Sequence, residues 1–142
     1  MPIRPELRKH YGREWREVTR PRILKRAGDA CEQCRVPNGL VIARIDKYPG
    51  WWFTIDGEAH DPKGILQFHF RGSEFDGPDR IVMIVLTIAH LNNTSGDDRD
   101  ENLAALCQWC HLNHDVKFHV SNARRTRTTK KDAARPLLKE AV

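Results

Sequence analysis

Four cysteines stand in two pairs of identical spacing, Cys31-Glu32-Gln33-Cys34 and Cys107-Gln108-Trp109-Cys110. A two-residue gap lets both thiolates of a pair reach one ion from a tight knuckle. Two knuckles then complete the tetrahedral four-sulfur shell that zinc takes in closed structural sites. Disulfides are the competing reading, but a reducing compartment disfavours them, and one redox CxxC pair leaves the second unexplained. The spacing predicts a structural Zn2+ on Cys31, Cys34, Cys107 and Cys110. Around the second pair lie further residue types that move protons, pin loops or bind hard cations: His90, Asn102, His111, His114 and Asp115.

The elements that must position them can be read from hydrophobic periodicity and turn residues. Residues 1–12 hold two prolines without clear periodicity and read as an extended arm. A helix is expected from about Arg13 to Ala27, with Trp15, Val18, Ile23 and Leu24 on one stripe and Pro21 as a break or restart. Gly28-Asp29 stops it just before the first knuckle. The stretch 36–80 reads as an insertion of short apolar runs, Leu40–Ile45 and Trp51–Ile55, parted by turn residues. Leu66–Phe70 is a further strand candidate, and Phe75–Pro78 a further loop. Trp51-Trp52-Phe53 reads as packing over the first knuckle, with base stacking as the sharper alternative. His60 and His69 have no partners at ligand spacing.

Ile81–Ala89 is expected to be one strand, apolar on both faces and covered from each side, delivering His90 at its end. A loop over 91–100 and a short strand over 101–106 lead into the second knuckle. From His111 the spacing turns helical, with Leu112, Val116, His119 and Val120 as a stripe, to about Arg125. The remainder, 126–142, reads as a basic, flexible tail.

At 142 residues the chain fits one domain with a modest core, and the composition, 39% apolar and 30% charged, leaves that core in need of a cross-link. No run approaches the roughly 20 apolar residues that span a bilayer, and no leader-like segment opens the chain, so a cytoplasmic, non-membrane protein is expected. The formal charge is +5. It is polarised: residues 1–30 carry nine Lys/Arg against four acids and 116–142 eight against two, while 91–115 carry one against five. The flanks, with Arg20, Arg22, Lys25, Arg26, Arg124, Arg125 and Arg127, suit a salt-sensitive grip on phosphates. The acidic middle would repel DNA unless a cation sat there.

The ordered set His90, Asn102, then Cys107 to Cys110 and His111 resembles the HNH endonuclease family, whose members share the ββα-metal fold and often carry two CxxC knuckles. The likeness spans about residues 13–120. It is strongest over Cys31–Cys34 and in Leu86–Leu91 (LTIAHL), Asp100–Leu103 (DENL) and Ala105–Leu112 (ALCQWCHL), which read like phage-type members. It implies an α+β fold: a small zinc-stabilised domain over 13–125 with an N-terminal helix, a β-hairpin insertion over about 36–80 and a ββα-metal core over about 81–122. It also implies that His90 is the general base, that Asn102 fixes the loop bearing it or approaches the metal, and that His111 binds a catalytic divalent ion.

The chemistry of phosphodiester hydrolysis explains these residue types. Water needs a base, the phosphate a Lewis acid, and the departing oxygen charge compensation. An imidazole with an ordinary pKa of about 6.5 accepts a proton near neutrality. Asp115, four residues after His111, shares its helix face, and the two make a half-shell for Mg2+, Mn2+, Ni2+ or Zn2+; His114 is the rival second ligand. One departure stands out: Ala89 occupies the position where many active members carry an Asp or His ligand. Two functions are therefore weighed. One is a metal-dependent nuclease acting on double-stranded DNA in a bacterial or phage-infected cell, alone, as a homodimer or with a phage or host protein. The other is a zinc-stabilised, non-catalytic DNA-binding module whose HNH site has decayed.

Overall fold

Pro21 sits in the first turn of a helix, where the missing N–H of proline costs no hydrogen bond. That is where α1, Arg20–Arg26, begins. It continues a single π-helical turn, Trp15–Thr19, so the expected helix forms in two pieces joined at the proline. Gly28 ends it in the left-handed region (φ 68°), and Asp29 N–H returns to Leu24 O at 2.9 Å. Ile23, fully buried, fixes α1 to the core. The N-terminal arm is not extended: Pro5–Tyr11 is a 3-10 helix, since Pro5, at its first position, has its φ preset for a helical turn.

A computed structural model describes residues 3–70 and 78–140, the side chains at 117, 119, 121, 122 and 129–140 excepted. The expected turn at Phe75–Gly77 and the His119 side chain lie outside the described residues. The fold is mixed helix and sheet. The chain divides into two units, Met1–His111 and Leu112–Val142.

In the first unit the insertion is larger than a hairpin. β1 (Val41–Arg44), β2 (Trp52–Phe53), β3 (Glu58–His60) and β4 (Leu66–His69) form an antiparallel meander, and β5 (Arg80–Met83) joins at the β1 edge, giving the order β4-β3-β2-β1-β5. The strand expected over Ile81–Ala89 is in fact two. β5 ends at Met83, and β6, Thr87–His90, pairs in a separate two-stranded sheet with β7, Leu103–Leu106. Coverage on both faces fails accordingly, because Ile81 and Met83 are 63% and 59% exposed.

Ile84 and Leu86, both buried, pin the crossing between the sheets. Its free backbone groups are met by side chains: Gln108 donates to Met83 O at 2.9 Å, and Asn38 accepts from Leu86 N–H at 3.1 Å. An apolar β-branched run cannot by itself signal a change of sheet, since that break is set by partners distant in sequence.

The main core joins Ile23, Val36, Ile42, Trp52, Ile84, Leu86, Leu103 and Leu106 with all four cysteines; Ala43, Phe53 and Ala59 form a smaller cluster within the meander. The first knuckle docks on the outer edge of β7, where Glu32 N–H donates to Ala105 O at 2.9 Å and a Glu32 carboxylate oxygen accepts from Ala105 N–H at 2.6 Å. Arg26 clamps this junction. Its guanidinium reaches both Glu32 carboxylate oxygens at 3.0 Å, Asp100 O at 2.7 Å and Leu103 O.

The helix α2, Gln108–Glu140, begins in the first unit, and from Leu112 onward it forms the second. It runs past the expected end near Arg125 because residues 123–134 contain neither Gly nor Pro and are rich in Ala, Arg and Lys, all strong helix formers. The stripe at Leu112, Val116 and Val120 is exposed. Among the described residues no helix is long and apolar enough to cross a membrane.

Truncating Arg26 to Ala removes charge-assisted bonds at a half-exposed junction. Arg26→Ala is expected to lower the unfolding free energy by about 1–2 kcal/mol, read as a fall in urea midpoint at constant slope. Arg80→Ala, which breaks only the solvated pair with Asp46, leaves the midpoint in place.

Candidate metal centre and histidine site

Each knuckle is a turn closed on its own sulfurs and carbonyls. In the first, Arg35 N–H donates to Cys31 O and Cys31 N–H to Val36 O, both at 2.9 Å, with Arg35 held at φ 62°. In the second, Cys110 N–H points at Cys107 Sγ at 3.5 Å, and His111 N–H closes the first helical turn on Cys107 O. The four sulfurs all lie within 4.8 Å of one another, buried and unbridged. Cys34 Sγ and Cys107 Sγ are 3.6 Å apart. A disulfide requires about 2.05 Å, whereas two thiolates on one zinc at 2.3 Å stand about 3.8 Å apart. The cluster therefore has the dimensions of a tetrahedral metal site and is compatible with a structural ion such as zinc.

The surroundings supply an independent test of fit. Arg44 is buried, and among the described residues no carboxylate pairs with it. Its guanidinium donates to Trp51 O at 3.0 Å and lies 3.8 Å from Cys107 Sγ, with Cζ 5.5 Å from the Trp109 ring centre. A buried cation needs an anion, and ionised sulfur is the one at hand. The thiols cannot all ionise by themselves. Hydrogen bonding from Cys110 brings Cys107 down to about 6, and that from Cys107 holds Cys31 well below the thiol range, while the same contacts with Cys107 push Cys34 and Cys110 up. A divalent cation removes that conflict by taking all four as thiolates.

The meander covers the site. Trp52 donates Nε1–H to Cys34 O at 2.9 Å and stacks on His60 with ring centres 3.8 Å apart, so of the aromatic run Trp52 packs on the first knuckle and His60 has a structural partner, while Trp51 and Phe53 pack in the smaller meander cluster. At Gly64 a Cβ would stand 2.5 Å from Cys34 O, so only glycine lets this loop lie on the knuckle.

His90 ends β6, 8% exposed. Its Nε2 is 2.9 Å from Asp98 Oδ1. A carboxylate only accepts, so Nε2 carries the proton and Nδ1 the lone pair. Trp15 stacks on the ring at 5.3 Å and 16°, and Tyr11 meets it edge-on at 6.2 Å. Asn102, also buried, ties down the intervening loop: its Oδ1 accepts from Asn92 N–H at 3.0 Å, and its Nδ2 donates to Asn92 Oδ1 and Asp97 O at 2.9 and 2.8 Å. Arg99 grips Asp97 bidentately and holds that carboxyl down to about 2.

His111, in the first turn of α2, has Nδ1 2.6 Å from Thr87 Oγ1 at the start of β6. His114 and Asp115 follow on the same helix, in the second unit. Among the described residues the four cysteines are the one group of three or more ligand-type side chains close enough to share an ion. Of the cations expected to meet phosphate, Arg20 donates to Leu86 O, Arg22 pairs with Asp100 at 2.7 Å and Arg26 is the clamp described above; Lys25, Arg124, Arg125 and Arg127 are exposed.

Sequence reasoning missed Trp15 and Tyr11 as neighbours of His90, and Arg44 as a neighbour of Cys107. Asp98 is one of three acids, with Asp97 and Asp100, in the loop after β6, and its residue type does not mark it out. No spacing rule links these pairs. Comparison of the chain with family models, with curated proteins and with solved structures gave no match.

If the cluster holds zinc, elemental analysis will find one zinc per chain, and Cys107→Ser will abolish stoichiometric binding and cooperative unfolding together. Trp52→Phe, which removes the bond to Cys34 O, reduces the stack on His60 and leaves a small void in the core, will keep the metal and cost about 1–3 kcal/mol in a urea melt.

Proposed function

We propose that the protein is a metal-dependent endonuclease of HNH type that hydrolyses phosphodiester bonds in double-stranded DNA, with zinc as the structural ion on the four cysteines and His90 as the general base. The observation that carries this reading is the His90–Asp98 hydrogen bond at the end of β6. Phosphodiester hydrolysis needs a group that takes a proton from water at a fixed place. With its Nε2–H committed to Asp98, His90 accepts on Nδ1, and the carboxylate stabilises the imidazolium that forms. Trp15 and Tyr11 hold the ring plane, and Asn102 fixes the loop that carries Asp98. The sequence β6, β7 and the start of α2, with His111 against Thr87, is the strand–strand–helix order that the resemblance implies.

A divalent ion at His111 would supply Lewis-acid activation of the phosphate. Lys25, Arg124, Arg125 and Arg127 are exposed and would meet backbone phosphates, whereas Arg20 and Arg26 bond to backbone carbonyls of the protein.

A second reading has its own support. Ala89 stands where a ligand is expected, and among the described residues no second group of three ligand-type side chains converges. Both favour a zinc-stabilised DNA-binding module without turnover.

Plasmid nicking and linearisation with Mg2+, Mn2+, Ni2+ or EDTA separates the two. The nuclease reading expects metal-dependent cutting, abolished in His90→Ala with zinc content unchanged and slowed roughly 10–100-fold in Asp98→Asn. A folded, zinc-loaded protein that shifts DNA and cuts under none of these metals would overturn it in favour of the binding module.

A further inference from the structure

The N-terminal segment does more than cover His90. Between it and the loop bearing Asp98 lies a cavity of about 430 Å³ whose lining includes Lys9, His10, Arg13, Glu14, Trp15, Arg22 and Asp98. That volume falls in the range of small-ligand clefts, roughly 300–1,000 Å³. It shares two residues with the histidine site, since Trp15, whose ring stacks on His90, and Asp98, bonded to His90, both belong to its lining.

The cavity is held in shape from both sides. Tyr11 Oη and Ser95 Oγ are 3.0 Å apart. The His10 imidazole lies so close to Gly96 that a Cβ there would stand 2.8 Å from two of its ring atoms.

Its charge points to one class of ligand. Lys9, Arg13 and Arg22 bring three permanent positive charges and His10 a titratable fourth group, against the carboxylates of Glu14 and Asp98. One of those acids, Asp98, is already bonded to His90. Among the described residues Lys9 has no ion pair. Arg13 and Arg22 are paired with Glu17 and Asp100 across solvated surface, where such pairs are worth little and exchange readily for a better anion. Guanidinium forks beside an ammonium make a phosphate seat.

We propose that this cavity seats a backbone phosphate of the nucleic-acid strand, on Lys9, Arg13 and Arg22, and so presents the adjoining backbone to the His90–Asp98 pair. The inference rests on the nuclease reading only for the identity of the strand as substrate. Lys9 and Arg13 are additions to the cations that charge clustering alone singled out, and Arg22 acquires a particular site.

Equilibrium binding tests it without reference to cleavage. The full-length zinc-loaded protein is titrated by fluorescence anisotropy with a short DNA duplex across a range of salt, without added divalent ion, and with a free mononucleotide as competitor. Lys9→Ala and Arg13→Ala, both at exposed positions, should each weaken binding about 5-fold and flatten the slope of log K against log salt by about 1. Lys63→Ala, which removes the same charge outside the cavity, should change neither. Cavity variants that behave like Lys63→Ala would overturn the proposal. So would a free mononucleotide that competes at the duplex's own affinity, which would make the cavity a nucleotide pocket. A protein that binds as expected and never cuts would sink the nuclease reading and leave the phosphate seat standing.

Discussion

Four sulfurs within 4.8 Å of one another join segments that are 73 residues apart at Cys34 and Cys107, and the first unit hangs on that junction. Closing so long a loop by apolar contacts alone is costly for a chain with one modest core, whereas a shared cation closes it in a single step. Everything near the histidines descends from it. The first knuckle docks on β7 through Glu32, β7 pairs with β6, and β6 ends in His90. The second knuckle opens directly into α2, which puts His111 beside Thr87. The meander is tied to the same point by Trp52 and Arg44. The junction is compatible with a shared cation, and Arg44, buried 3.8 Å from Cys107 Sγ, is a positive group that ionised sulfur would balance.

The histidine site is built on a different principle, saturation of hydrogen bonds in a loop that has little apolar content of its own. The loop after β6 contains Asn, Thr, Ser, Gly and Asp, residues that compete for backbone groups and by themselves specify no one conformation. Asn102 resolves that freedom from outside with three hydrogen bonds, and Arg99 adds a bidentate grip on Asp97. Asp98 is thereby left at one place, against Nε2 of His90. The aromatic pair Tyr11 and Trp15 restrains the ring in the remaining direction. An imidazole held in this way has little conformational freedom left.

Positive charge is spent in two distinct ways. Arg26 and Arg44 are structural, the first bonded to Glu32 and to carbonyls at the β7 junction, the second to Trp51 O and Cys107 Sγ. Lys9, Arg13 and Arg22 instead line a cavity that also takes in Trp15, whose ring stacks on the histidine. Counts of Lys and Arg along a chain cannot separate these uses, since both sets come from one basic flank, with Arg44 just beyond it.

Local rules made part of this protein legible in the chain itself. Paired two-residue cysteine gaps are short enough that knuckle geometry follows from spacing, so the four-cysteine cluster could be read directly. The helix stop at Gly28, the restart at Pro21 and the knuckle-packing role of Trp52 likewise depend on neighbours within a few residues or on residue type. What tertiary structure decided was every feature whose partner is distant. The run Ile81–Ala89 reads as one strand, and only the side chains of Gln108 and Asn38 and the burial of Ile84 and Leu86 turn it into two strands of separate sheets. Asp98 is one of three acids in its loop, with nothing in its type to mark it; the Asn102 bonds select it. Tyr11 and Trp15 lie more than 70 residues before the imidazole they flank. Spacing determines which groups can share a turn or a helix face, while the packing of remote segments decides which groups meet, and a hydrogen bond or a ring contact depends on meeting.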